Sequence, residues 1–310
     1  MRALIVTNMY PSPAHPALGS FVRDQVEALK RTPGIELEVF SFDPGSAGAY
    51  ANAARELRRN ETEYDVVHAH FGLTTWPSLA ARAHKRVVTL HGTDLAHPRS
   101  RQLTLAALRF MDLIGGVSEP LLQSLPAWAQ RRPTAVLPAG VDTTRFRPIP
   151  RDEARTRLGL EPDRAYLLFA ADPSRPEKRY DRAREVAGTT ELLALRDVDP
   201  GEVPLWVNAA NAVLVPSERE GFGLAVLEAL ACDVPVLATP EGIAREALDG
   251  IAGTFCGPFE AAAWRAALEP HLAAPDPRVA GRERAERYST DTMADRVVDA
   301  WRTLLGPSVR

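Results

Sequence analysis

Pro216-Ser-Glu-Arg-Glu-Gly-Phe-Gly-Leu-Ala-Val-Leu-Glu-Ala-Leu230 reads as the end of a buried strand, a tight turn and the start of a helix. The run Ala212-Val-Leu-Val215 ahead of it is short, apolar and rich in β-branched residues, as a strand covered on both faces should be. Gly221 and Gly223 allow the backbone to approach a ligand closely, and a helix starting near Gly223 presents free N–H groups. A helix start of this kind is an anion site suited to a diphosphate. Glu220 sits in the turn and Glu228 about two helical turns beyond it, so the two carboxylates can grip separate hydroxyl groups, one on a sugar and one on a ribose.

The same alternation extends in both directions. Before it, candidate strands fall at 2–8, 36–42, 66–70, 87–90, 113–117 and 134–137, with helical patterns at 21–31, 49–59, 77–84, 103–111 and 119–125. Pro138, Gly140, Pro148 and Pro150 then cluster as a linker. A second series of strands follows at 165–171, 191–194, 212–216, 234–238 and 253–255, with helices between and after them, the last at 278–287 and 290–305. Short apolar strands alternating with helices predict parallel sheets covered on both faces, hence an α/β protein of two domains. Ligands of such sheets bind beyond the carboxyl ends of the strands, so the strand-to-helix turns are where chemistry is expected.

Composition narrows the function classes. Hydrophobic residues make up 45% of the 310 and charged residues 25%, as in ordinary globular proteins. The longest apolar runs, such as 224–231 and 234–238, fall well short of the roughly 20 residues of a membrane span. Met1 leads directly into the strand-like Arg2-Ala-Leu-Ile-Val-Thr7, with no signal-peptide pattern, and Cys232 and Cys256 read as small buried thiols; a cytoplasmic location is expected. Residues 1–150 carry 17 basic against 13 acidic residues, and 151–310 carry 20 against 27. The basic excess of the first half allows weak peripheral contact with an anionic membrane, whereas no basic run supports nucleic acid binding.

Glu220, seven intervening residues, Glu228 and the following Ala-Leu-Ala-Cys-Asp-Val-Pro-Val-Leu-Ala-Thr239 closely resemble the signature of family 4 retaining glycosyltransferases. The resemblance implies the GT-B architecture, two facing Rossmann-like domains with an interdomain cleft, and transfer of a hexose from a nucleotide-diphosphate donor without metal or cofactor. The acceptor would be an alcohol on a glycan, a lipid-linked molecule or a small molecule. It implies that Glu220 contacts the donor sugar, that Glu228 holds the ribose, and that Gly221, Phe222, Gly223 and Leu224 border the donor. Domain bounds follow as 1–147 on the acceptor side and 148–288 for the donor, with a C-terminal helix at 289–310 that can cross back to the first domain.

Other segments carry the same resemblance. Val88-Thr-Leu-His-Gly-Thr-Asp94 is similar to the family's strand end where a His lies beside the donor sugar, a role that falls to His91. Gly19, before the helix at 21, stands where the family has a glycine loop near the donor phosphates, although Leu18 replaces a frequent second Gly. In Ala171-Asp-Pro-Ser-Arg-Pro-Glu-Lys-Arg-Tyr180 the family places an Arg and a Lys to neutralise the leaving diphosphate. Lys178 matches the Lys, Pro173 stands at the Arg position, and Arg175 is the candidate substitute. Lysine occurs only at 30, 85 and 178 in a chain that otherwise uses Arg, which singles out Lys178 as a compact charge. His68 and His70 share a strand face and read as a polar strand edge. Asp197-Val-Asp199 matches a short metal-binding pattern but lies in a Pro- and Gly-containing connection, so no metal site is expected, and Glu246 reads as a helix cap.

Overall fold

The computed structural model describes residues 1–13, 15–43 and 45–306. The chain packs into two units: Met1–Gly140 together with the C-terminal segment from Thr290, and Val141–Ser289. Each is a parallel sheet with helices packed against it, as expected from runs of short apolar strands.

In the first unit the strands are β1 (Arg2–Thr7), β2 (Glu36–Ser41), β3 (Glu63–His70), β4 (Arg82–Leu90), β5 (Leu113–Gly116) and β6 (Thr134–Val136), in the spatial order β2-β1-β3-β4-β5-β6. Alternate residues of β1 enter different cores. Ala3 and Ile5 pack with the helices Ser20–Arg31 and Thr290–Leu305, whereas Leu4 and Val6 pack with Leu57, Tyr64 and Ala81 on the other face. Trp301 and Val297 of the last helix are fully buried in the first of these cores. A side chain buried in this way contributes about 1.5–3 kcal/mol. Lys30 and Arg31 lie in the last turn of the helix Ser20–Arg31, where they complement its dipole.

In the second unit β7 (Tyr166–Phe169), β8 (Glu191–Ala194), β9 (Ala212–Val215), β10 (Val236–Ala238) and β11 (Phe255–Cys256) take the order β11-β10-β9-β7-β8. The chain leaves β7 toward β8 on one side and returns to β9 on the other. The carboxyl ends of β7 and β9 therefore flank a topological switch point, where open α/β sheets bind ligands. Residues 141–147 pack within this unit: Val141 N–H donates to Tyr288 O at 2.8 Å, and Arg282 donates to Thr143 O at 2.9 Å.

Two local expectations are corrected. The helical pattern at 77–84 is helical only in Thr75–Ser78; β4 begins at Arg82, paired with Glu63 of β3. Sheet pairing overrides the local apolar spacing there. The helix expected at 278–287 is confined to Arg282–Glu286, because the backbone N–H of Val279 donates to Asp233 O at 2.9 Å and those of Gly281 and Arg282 to Asp233 Oδ1 at 3.0 and 2.8 Å. Among the described residues no helix is long and apolar enough to cross a membrane.

Candidate active site

At the switch point of the second unit, the turn after β7 and the turn after β9 meet. Glu218 N–H donates to Glu177 O at 2.9 Å, tying the two backbones together. Lys178 ends a short 3-10 turn, Pro176–Lys178, and its ammonium lies 2.8 and 2.7 Å from the two carboxylate oxygens of Glu220. Ser217 Oγ donates to Glu220 Oε1 at 2.7 Å. With 16% of the Lys178 side chain and 7% of the Glu220 side chain exposed, this is a largely desolvated, charge-assisted pair.

Gly223 caps the helix Leu224–Ala231 at φ 93, a left-handed conformation that glycine adopts without strain. The turn after β10 closes against it: Ile243 N–H donates to Phe222 O at 2.7 Å, and a Cβ on Gly242 would lie 2.3 Å from that same oxygen. Phe222 is buried and Leu224 half-buried, while Glu228 is half-buried on the helix. Arg175 is not drawn to Lys178. Its guanidinium donates twice to Glu177 Oε1, at 3.0 and 2.8 Å, and it lines an open hollow of about 560 Å³ with Pro173, Arg179, Tyr180 and Glu218.

In the first unit the carboxyl ends of β3 and β4 carry a row of rings, with His68 and His70 buried and His91 half-buried. His68 and His70 stack at 4.9 Å between centroids, and His70 and His91 at 5.3 Å. His70 Nδ1 and His91 Nε2 are 3.1 Å apart, and Trp301 Nε1 donates to His68 Nδ1 at 3.2 Å. His68 and His70 stand at the carboxyl end of β3 with polar partners, and both are buried, His68 0% and His70 1% exposed. Burial lowers His70 to about 3 and holds His68 and His91 well below the ordinary imidazole value, so all three are neutral. Phe71, held at φ 72, lays its ring 4.3 Å from that of His91, and Phe21 lies 5.2 Å away.

Asp94 is a residue that sequence reasoning missed. Its Oδ1 accepts Gly72 N–H at 2.6 Å and its Oδ2 accepts His91 N–H at 2.5 Å, so one buried carboxylate joins the ends of β3 and β4. Burial raises its pKa, and the backbone N–H groups oppose that shift. The signal available was its place in His91-Gly-Thr-Asp94, at the start of the short helix Thr93–Ala96. Gly19 caps the helix Ser20–Arg31 at φ 65, and a Cβ there would lie 2.1 Å from Met9 O.

Residues 4–145 match Glycosyltransferase Family 4 and residues 157–288 match Glycosyl transferases group 1. A D-inositol 3-phosphate glycosyltransferase of Actinosynnema mirum is 30% identical over 310 residues, covering 80% of this chain and 73% of that protein. The chain belongs to glycosyltransferase family 4. Solved structures agree on the fold. A sucrose-phosphate synthase from Thermosynechococcus elongatus superposes with a TM-score of 0.77 at 18% identity, covering 98% of this chain and 99% of that one. The Anabaena protein HepE, in complex with UDP and glucose, gives 0.68 at 18% identity, covering 96% and 98%. Both units of this family 4 glycosyltransferase are thus the Rossmann-like halves of the GT-B fold.

Within that family 4 enzyme the remaining candidates have ordinary structural roles. Asp199 Oδ1 accepts Gly201 N–H at 2.7 Å in a turn, and among the described residues no group of three His, Cys, Asp or Glu could hold a metal ion. Glu246 is not a helix cap: its carboxylate accepts the Tyr288 hydroxyl. Cys232 is buried and Cys256 half-buried, both as free thiols.

Proposed function

We propose that this glycosyltransferase is a retaining, metal-independent hexosyltransferase that moves a sugar from a nucleotide-diphosphate donor to an alcohol acceptor. The observation that carries the reading is the Lys178–Glu220 pair at the β7/β9 switch point, beside the helix start at Gly223. A diphosphate at that helix start meets free N–H groups and the Lys178 ammonium, which stabilise the charge that develops on the leaving nucleotide. This cationic and dipolar cradle does the work that a divalent metal does elsewhere. Glu220, two residues before Phe222, is the group for the sugar hydroxyls, and Glu228 for the ribose. His91 is the donor-side residue of the first unit, and Gly19 lets the loop after β1 approach the donor phosphates and the acceptor. Arg175 reinforces the charge once its contact with Glu177 is exchanged for phosphate. The leaving phosphate accepts the proton of the attacking alcohol, so no protein base is needed.

UDP is the first donor nucleotide to test, since the similar HepE was solved with UDP and with UDP-glucose. D-Inositol 3-phosphate belongs on the acceptor panel, given the names of the relatives. Release of free nucleotide diphosphate is expected only when an alcohol acceptor is present. Interconversion of the donor without acceptor would make the chain an epimerase, and binding without turnover across a broad panel would make it a non-catalytic sugar-nucleotide subunit. Peripheral contact of the first unit with an anionic membrane, from a cytoplasmic location, has support at one place. Trp76, Leu103 and Phe110 are exposed together on and beside the helix Pro98–Leu108, which carries Arg99 and Arg101 and no acid.

A further inference from the structure

Glu220 is held in two different ways. Within its own turn, Ser217, three residues earlier and 2% exposed, donates its hydroxyl to Glu220 Oε1 at 2.7 Å. A carboxylate paired with an ammonium only accepts, so the direction of this bond is fixed and the O–H proton of Ser217 points at Glu220. From the turn after β7, Lys178 reaches both oxygens, Oε1 at 2.8 Å and Oε2 at 2.7 Å. Among the described residues Oε1 therefore has two side-chain donors and Oε2 has one.

The hold from within the turn is anchored in the sheet. Thr239, directly after β10 and 5% exposed, donates its N–H to Val215 O at 3.1 Å and its hydroxyl to Ser217 O at 2.6 Å. Ser217 is tied at its backbone as well as buried. The stem of Glu220 is confined too, since a Cβ on Gly242 would lie 3.0 Å from Glu220 Cβ. The hold from the other turn is of a different kind. Lys178 carries its charge at the end of a flexible four-carbon stem, and a diphosphate offers it more negative charge than one carboxylate does. A donor can draw Lys178 away from Glu220, whereas Ser217 has no freedom to follow.

We propose that Ser217 is a positioning residue for transfer: its hydroxyl keeps Glu220 Oε1 and presents Oε2 to a hydroxyl group of the donor sugar once Lys178 has turned to the diphosphate. The proposal rests on the reading of Glu220 as the acid for the sugar. The last torsion of a glutamate is broad and roughly two-fold, so a carboxylate released by Lys178 and lacking Ser217 would favour neither oxygen. With Ser217 in place one oxygen is tied and the other has a single orientation. Only 7% of the Glu220 side chain is exposed, and a sugar hydroxyl satisfies the oxygen that Lys178 leaves.

The test is a double-variant cycle, run with the nucleoside diphosphate that calorimetry selects among UDP, GDP and ADP and with its glucose conjugate as donor. Ser217→Ala should lower kcat about tenfold and leave affinity for the free diphosphate within about twofold. In a Glu220→Ala background the same change should cost less than about twofold, because no carboxylate is left to position. A merely structural Ser217 would give equal losses in both backgrounds, and that result would overturn the proposal. Wild-type kcat in Ser217→Ala beside an impaired Glu220→Ala would overturn it as well. Wild-type kcat in Glu220→Ala would instead remove the sugar reading of Glu220, and the proposal with it. If Glu220→Ala does not fold, or turnover is too slow to compare, a crystal structure with the bound diphosphate decides. Lys178 on phosphate with Glu220 Oε1 still on Ser217 is the expected result. Glu220 swung away from Ser217, or Lys178 still on Glu220, would overturn the proposal.

Discussion

The Lys178 ammonium holds both carboxylate oxygens of Glu220, at 2.8 and 2.7 Å, and so joins the turn after β7 to the turn after β9 across the switch point of the second sheet. Two opposite charges, proposed to serve the phosphate and the sugar of a donor, neutralise one another here. A donor that brings its own negative charge and hydroxyl groups can redistribute those contacts without leaving either side chain bare.

Lys178→Ala should abolish most transfer, lowering kcat/KM at least a hundredfold, because it removes charge from the diphosphate site. It should also destabilise the fold by about 2 kcal/mol, since among the described residues a largely buried Glu220 carboxylate keeps only its Ser217 side-chain contact. Arg175→Ala should cost less than tenfold, since Arg175 is half-exposed and already satisfied by Glu177. Steady-state kinetics and urea melts check both, and wild-type turnover in Lys178→Ala would rule out the proposed phosphate clamp.

The two acids should separate sugar from nucleotide recognition. Glu228→Gln is expected to weaken both intact donor and free nucleotide diphosphate. Glu220→Gln should depress transfer strongly while free nucleotide affinity stays within about threefold, roughly 0.6 kcal/mol. Calorimetry with each ligand decides, and loss of nucleotide binding in Glu220→Gln with retention in Glu228→Gln would reverse the assignment.

Transfer should persist in EDTA, because Lys178 and the helix start at Gly223 supply the positive field at the phosphates. Complete loss restored by Mn²⁺ or Mg²⁺ would point to a metal and bring Asp197 and Asp199 back into consideration.

Stability should fall with acid in a defined window. His70 is pushed down to about 3, and His68 and His91 well below 6.5, so the unfolded chain takes up protons that the folded chain refuses. Stability from these groups is full above about pH 6.5 and is lost as pH falls toward the folded values, by about 1.4 kcal/mol per pH unit for each histidine. Urea midpoints measured at several pH values should show this slope, and His70→Asn should reduce it by one proton's worth. A flat midpoint between about pH 7 and 5 would contradict the neutral row.

Anionic vesicles should retain the protein more than zwitterionic ones, and Phe110→Ser or Arg101→Glu should reduce that retention. Equal sedimentation with both vesicle types would remove the membrane reading, and concentration-dependent self-association lost in Phe110→Ser would identify a second copy as the partner of this patch.

Local chemistry made much of the fold legible. The strand, glycine turn and helix around Gly223 follow from residue types within one short segment, because a glycine at φ 93 and a helix start are local events. The spacing of Glu220 and Glu228 likewise needs only helical geometry. At 77–84 the same reasoning failed, because pairing of Arg82 with Glu63 lies outside any local window. Asp94 was passed over since its partners, Gly72 and His91, meet only when β3 and β4 lie side by side.

The sequence by itself determined the alternating elements, the glycine turns and the acidic and basic residues at strand ends, all products of neighbours along the chain. Tertiary structure alone decided that Lys178 would close on Glu220, that Arg175 would turn to Glu177, and that His68 would be buried rather than exposed. The Trp301 indole that donates to His68 lies 233 residues away from it in sequence. Only packing of the last helix against the first sheet brings them within hydrogen-bonding distance, and desolvation then sets the charge state of the histidine row.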